Sequence, residues 1–158
     1  VLFRSETARA AASGDTLSVR QLVTLASLVE KETASMNERP LVSAVYRNRL
    51  RIGMPMQADP TVVFALAKAG RYDGNIRKAD LAMDSPYNTY KYPGLPPGPI
   101  AAPGAAALGA ALAPADVPYL YFVSRNDGTH VFARTLAEHS ANVRRFQVEF
   151  FRARRAAR

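Results

Sequence analysis

Apolar residues recur at helical spacing from Val19 to Thr33, and this is the clearest pattern along the chain. Val19, Leu22, Val23, Ala26, Val29, Glu30 and Thr33 fall on one face. Ser18 with Gln21 three positions later makes a capping-box pattern, so a helix is predicted to begin there. Two carboxylates stand near its end. At ~100° per residue, Glu32 lies about 200° round from Glu30, nearer Leu25 and Leu28. The two point in different directions and need separate explanations.

A second helix is predicted from about Glu38 to Leu50, with Leu41, Val42, Val45, Tyr46 and Arg49 at helical spacing and Pro40 in the first turn. Gly53 ends it, and Met54 to Ala58 reads as an extended linker. Asp59-Pro60-Thr61 has the form of an N-cap with proline behind it, opening a short helix through Val62, Val63 and Leu66. From Gly70 to Pro99 the pattern fades into Tyr, Asn, Pro and Gly; irregular stretches of this length in a domain are usually functional. Gly104 to Ala113 predicts an alanine-rich helix. Tyr119–Val123 and His130–Ala133 predict a β-hairpin around Asn126-Asp127-Gly128. Leu136 to Arg154 predicts a final helix packed through Val143, Phe146, Phe150 and Phe151. The sum is an α+β domain, mainly helical, with one hairpin and a long irregular segment. Residues 16–151 are expected to form the domain, 1–15 a disordered or fragmentary leader and 152–158 a basic tail. The chain opens on Val rather than Met, and Val1–Ser5 resembles translated adapter sequence, so we read it as a piece of a longer protein.

Composition narrows the chemistry. The 158 residues include no cysteine, which excludes disulfides, thiolate catalysis and cysteine-based metal sites. The formal net charge of +8 favours an acidic partner, but Arg144, Arg145, Arg152, Arg154, Arg155 and Arg158 crowd one end, and no nucleic-acid-binding motif is present. Nucleic acid is therefore not the expected partner. No run approaches the ~20 apolar residues that span a bilayer. His130 and His139 do not share ligand spacing, so neither a metal nor a cofactor is expected.

Three stretches hold groups suited to catalysis or binding. Glu30 falls on the apolar face, where an unpaired charge is costly, and Arg47 or Arg49 of the next helix is its expected partner. Glu32 lies at the edge of that face, where it can meet a cleft. Around Asp59, Gln57 suits hydrogen bonding to sugar hydroxyls and amides, while Asp59 itself reads either as a helix cap or as a second catalytic carboxylate. In Ser85-Pro86-Tyr87-Asn88-Thr89-Tyr90, rings alternate with amides and hydroxyls, which suits carbohydrate and equally a tyrosine-packed surface loop.

Taken in order, several segments resemble one family, the endolytic murein transglycosylases (MltG, YceG-like). They are Leu25 to Thr33, Asn48 to Met54, Gln57 to Val62, Tyr87 to Tyr90, Gly94 to Ile100 and Tyr119 to Val123. The resemblance spans about Gln21 to Phe146. It implies a lysozyme-like cleft that cleaves the MurNAc–GlcNAc β-1,4 bond of peptidoglycan glycan strands and leaves a 1,6-anhydromuramyl end. It makes Glu32 the catalytic acid, with Glu30, Arg47 and Arg49 in support. It points to Gln57, Tyr87 and Asn88 as groove residues, and with them we read Asp59, Thr61, Thr89, Tyr90 and Tyr121 as candidate substrate-binding residues. It also implies the periplasmic face of the cytoplasmic membrane, an anchor outside this sequence, and peptidoglycan synthases as partners. Two rivals stand beside it: a muramidase-type hydrolase using Glu32 and Asp59, and a non-catalytic peptidoglycan-binding scaffold.

Overall fold

In the computed structural model, residues 17–157 are described; the predicted leader, 1–15, lies outside them. The first helix, α1 (Val19–Glu32), starts at Ser18, whose hydroxyl accepts from the Gln21 N–H while the Gln21 side chain accepts from the Ser18 N–H. One apolar face was predicted, yet α1 is buried all round from Thr24 to Val29, and Val19 is exposed. The reason is packing on several sides at once. Helices α2 (Arg39–Arg51), α3 (Asp59–Lys68) and α4 (Ala105–Leu112) all lie against α1. The polar residues this buries are satisfied locally. Thr24 donates to the Arg20 carbonyl at 2.7 Å, and Ser27 donates to the Thr24 carbonyl at 2.7 Å while accepting from the Ile100 N–H. Small side chains on α4, Ala107, Ala110 and Ala111, lie fully or almost fully buried in the same core.

Helix α2 is bolted to the rest of the fold by polar groups. The Asn48 amide donates to the Val117 and Tyr119 carbonyls. Arg49 is buried and donates to the Leu120, Pro55 and Met56 carbonyls. Through these bonds one helix turn fixes both the extended segment leading into the hairpin and the linker before α3.

The irregular segment from 70 to 99 contains one 3-10 turn, Lys78–Ala82. It is ordered from inside by Asn88, which is fully buried, donates to the Leu81 and Met83 carbonyls and accepts from the Tyr90 N–H.

The hairpin is β1 (Tyr121–Ser124) antiparallel to β2 (His130–Ala133), with Phe122 opposite Phe132 and Ser124 opposite His130. Its turn places Asn126 and Gly128 at positive φ, as the Asn-Asp-Gly sequence predicts. The predicted last helix is in fact three pieces: α5 (Leu136–Val143), a π-helical turn (Arg144–Glu149) and α6 (Phe150–Ala156). The π turn is held to the hairpin by Gln147, which donates to the Ser124 carbonyl, and by Asn126, which donates to the Phe146 carbonyl. Phe150 and Phe151 are not packed as predicted. They are 38% and 41% exposed and meet edge to face, because α6 packs chiefly on the turn before it. The stretch read as a basic tail from 152 is helical to Ala156. The α+β class stands, with helices dominating and one two-stranded sheet.

Candidate active site

Glu32 is the last residue of α1, and its carboxyl lines a cleft of about 360 Å³. Helices α1, α2 and α3 supply one wall, with Glu32, Tyr46, Arg49 and Asp59; the hairpin and α5 supply the other, with Ser124, His130 and His139. The Tyr46 hydroxyl donates to Glu32 Oε2 at 2.9 Å. No cation is bonded to this carboxyl among the described residues. Burial pushes Glu32 up to about 7; the Tyr46 hydrogen bond and the nearby His130 and Arg49 charges pull it back down, and Asp59 adds to the rise. A carboxyl that holds its proton near neutrality beside an open cleft can act as a general acid.

Glu32 and Asp59 also line a second hollow of about 520 Å³, walled by Pro60, Val63, Phe64, Tyr72 and Ile100. The cleft therefore continues past the two carboxyls in both directions: polar on the hairpin side, largely apolar on the α3 side. Asp59 itself is exposed and accepts from the Tyr90 hydroxyl at 2.5 Å. It lies in the first turn of α3 rather than at the cap, which is Ala58, and its carboxylate is bonded to Tyr90 rather than to the helix backbone. Beside it Gln57 is exposed at φ +49°, between buried Met56 and Ala58. A left-handed backbone at a non-glycine residue is strained, and here it turns the chain at the cleft edge.

The far wall is organised around His130. Its ring Nδ1 lies 2.8 Å from Glu38 Oε2, and its backbone N–H donates to Glu38 Oε1 at 2.8 Å. Burial acts to raise the Glu38 carboxyl, but the bonds from the His130 ring and backbone outweigh it and hold Glu38 below the usual carboxylate range. His139 stacks on Tyr121 at 5.0 Å, with the Arg49 guanidinium over the same tyrosine ring at 5.4 Å. Burial, then the charge of Arg49, holds the His139 imidazole below its usual range, so it faces the cleft neutral.

Residues 2–145 match the YceG-like family. The chain belongs to the YceG-like family. It is 44% identical over 135 residues to an endolytic murein transglycosylase of Bacillus subtilis, covering 85% of this chain and 37% of that protein. An endolytic murein transglycosylase of Streptococcus pneumoniae is 38% identical over 133 residues, covering 80% of this chain and 24% of that protein. The crystal structure of a YceG-like protein from Listeria monocytogenes superposes with a TM-score of 0.74 at 39% identity, over 88% of this chain and 42% of that one. The chain thus spans between a quarter and two fifths of the length of these relatives.

In this YceG-like fold the predicted site residues separate into two groups. Glu32, Gln57, Asp59 and Tyr90 come together in the cleft, with Tyr121 just behind it, stacked under His139. Thr61, Asn88 and Thr89 do not face it. All three are at most 1% exposed: Thr61 donates to the Ala58 carbonyl, the Thr61 and Thr89 hydroxyls lie 2.8 Å apart, and Thr89 also accepts from the Ala58 N–H. They lock the irregular segment to the start of α3 and so hold Asp59 and Tyr90 in place. Tyr87 turns away onto Phe64, at 4.7 Å between rings, with Lys68 over its face. The partner predicted for Glu30 is also corrected. Glu30 pairs with Arg39 at 2.9 Å and accepts from the Gly104 N–H, because the α1–α2 turn brings the start of α2 beside it. Arg47 instead donates to the Ala111 carbonyl, and Arg49 is occupied by the three carbonyls described above. Tyr46, Glu38 and His130 are site residues the sequence reading left out. Tyr46 carried a usable signal: a tyrosine on a buried helix face needs a partner for its hydroxyl.

Proposed function

We propose that this chain is the catalytic part of a lytic transglycosylase that cleaves the MurNAc–GlcNAc β-1,4 bond of peptidoglycan glycan strands and leaves a 1,6-anhydromuramyl end. The observation that carries the reading is the Glu32 carboxyl, held near neutral pKa by burial at the floor of a cleft open to both sides. The kinship with proteins named endolytic murein transglycosylases supports it.

The chemistry runs on one carboxyl. Protonated Glu32 donates to the glycosidic oxygen as the C1–O bond breaks, and the leaving sugar departs with a hydroxyl. The muramyl C1 is left oxocarbenium-like and is captured by its own acetamido oxygen. Glu32, now ionised, takes the proton of the muramyl C6 hydroxyl, and O6 closes on C1 as the acetamido oxygen leaves. The carboxyl ends as it began and no water is consumed. Tyr46 is a positioning residue: its hydroxyl bond fixes one carboxyl oxygen of Glu32.

A second reading has an observation in its favour. Asp59 lines both hollows with Glu32, which favours a hydrolase with Glu32 as acid and Asp59 as base. Product masses from purified glycan strands separate the two. Anhydromuramyl ends, lighter by one water, support transglycosylation, and hydrated reducing ends support hydrolysis. Glu32→Gln is expected to abolish both products while the fold persists; normal cleavage by that variant removes Glu32 from the mechanism.

The relatives' names place their activity on murein, and we propose the cell envelope for this chain also, at the periplasmic face of the cytoplasmic membrane beside peptidoglycan synthases. Among the described residues no helix is long and apolar enough to cross a membrane, so attachment there would come from a segment outside them. Fractionation of cells with a tagged full-length protein tests this.

A further inference from the structure

We propose that Asp59 is a catalytic residue with a task separate from proton transfer: its carboxylate accepts the N–H of the muramyl 2-acetamido group and stabilises the cation that forms when the acetamido oxygen closes on C1. This rests on the transglycosylase reading above.

Three observations converge on it. Asp59 and Glu32 line the same two hollows, so both carboxyls border the space a glycan strand would cross. The Asp59 side chain makes no hydrogen bond to the helix it begins: Ala58 is the cap residue, and Asp59 serves the helix only as an acidic group in its first turn. Its one hydrogen-bond partner among the described residues is the Tyr90 hydroxyl, at Oδ1, and no cation is paired with it. Tyr90 orients one oxygen, and the residue is exposed and lines the cleft.

The charge balance of the reaction supplies the role. When Glu32 gives up its proton, the sugar becomes positive at C1, and acetamido closure moves that charge onto the N–C–O unit and makes its N–H more acidic. A carboxylate held in advance beside that unit binds the intermediate more strongly than the substrate, which is the condition for raising kcat. No proton need leave the acetamido nitrogen: the N–H···O bond strengthens at closure and relaxes when O6 displaces the oxygen. Tyr90 supports this by holding the carboxylate still, and the buried Thr61–Thr89 contact and Asn88 hold Tyr90 in turn.

The experiment compares wild type, Asp59→Asn and Tyr90→Phe on purified glycan strands and on the same strands after chemical removal of the N-acetyl groups. Rates are taken at about pH 5.5, where Glu32 is protonated in the wild type, and across a pH profile for Asp59→Asn, in which the like charge that raises Glu32 is gone. On acetylated strands Asp59→Asn is expected to lower kcat by about 100-fold or more with KM within about threefold, its residual product still carrying anhydromuramyl ends. Tyr90→Phe, which keeps the charge and loses only its tether, is expected to lower kcat by about tenfold. On de-N-acetylated strands the wild type should fall to the rate of Asp59→Asn, closing the gap between them. An Asp59→Asn variant within threefold of wild type overturns the proposal, and so does a gap that persists without the acetyl group. Hydrated ends from the wild type overturn it in favour of Asp59 as a base. No cleavage by the wild type fails the parent reading itself, and the proposal falls with it.

Discussion

Replacing Glu32 by Gln should stabilise the protein, and the gain should depend on pH. Burial pushes the Glu32 carboxyl from 4.5 up to about 7. At about 1.36 kcal/mol per pH unit between the two values, this corresponds to about 3 kcal/mol. The sign follows from which state holds the proton. Below pH 4.5 both folded and unfolded chains keep it, and Glu32 contributes no pH-dependent difference. Between 4.5 and about 7 the unfolded chain releases its proton while the folded one retains it, so the folded state loses ground as pH rises. Above about 7 the full penalty is present. The Gln amide has the shape of the protonated carboxyl, can accept from Tyr46 as Glu32 does, and has no proton to lose. The stability gap between Glu32→Gln and wild type should therefore be near zero at about pH 4, grow through the window, and level off at about 3 kcal/mol above pH 7, or roughly 6–12 °C in Tm. Urea unfolding of both proteins at several pH values reads the gap directly, and the other titrating groups cancel in the difference. A gap of the same size at pH 4 and pH 8 would refute the claim that burial holds the proton on Glu32.

Other consequences can be checked in parallel. With glycan strands as substrate, kcat/KM should fall about tenfold per pH unit above about 7, as Glu32 of the free enzyme ionises. Tyr46→Phe removes the hydrogen bond that lowers the Glu32 carboxyl, so that alkaline limb should move to higher pH, and an unmoved limb would deny the contact its influence. Arg49→Met leaves the Leu120, Pro55 and Met56 carbonyls without their donor and should destabilise by about 2–4 kcal/mol in urea unfolding; Arg49→Lys should recover little, since one ammonium cannot replace the guanidinium fork. Asn88→Ala should cost about 2 kcal/mol or more and raise amide exchange selectively between residues 77 and 92, which it ties together.

Much of the architecture was legible because local rules govern it. Ser18 with Gln21 marks the start of α1, Asn126-Asp127-Gly128 marks the hairpin, and Gly104 precedes the alanine helix where expected. What escaped depends on contacts distant in sequence. Helical spacing puts Arg47 and Arg49 on different faces of α2, but it does not show that three carbonyls from the linker and the hairpin approach will claim Arg49, or that the turn between α1 and α2 brings Arg39 to Glu30. His130 and Glu38 are 92 positions apart and meet only because the hairpin folds back on α2. Thr61, Asn88 and Thr89 were misplaced for a chemical reason. An amide or hydroxyl that can bind a sugar can equally bind a backbone carbonyl, and only burial tells the two apart.

The position of Glu32 is where local and global preferences disagree, and that disagreement produces the site. A helix ends in unpaired carbonyls with partial negative charge, and acidic residues are disfavoured there. Glu32 closes α1, directly before the Thr33 cap, with Lys31 the only basic residue in the last turn. The helix end therefore acts in the same direction as burial, favouring the protonated carboxyl. A basic residue at position 32 would suit the helix better and leave the cleft without an acid. The fold offsets the mismatch with the Tyr46 hydroxyl bond and the nearby Arg49 and His130 charges, which stabilise the ionised form only in part. A carboxyl balanced in this way can release its proton and take one back within a single turnover, as a one-carboxyl transglycosylase requires.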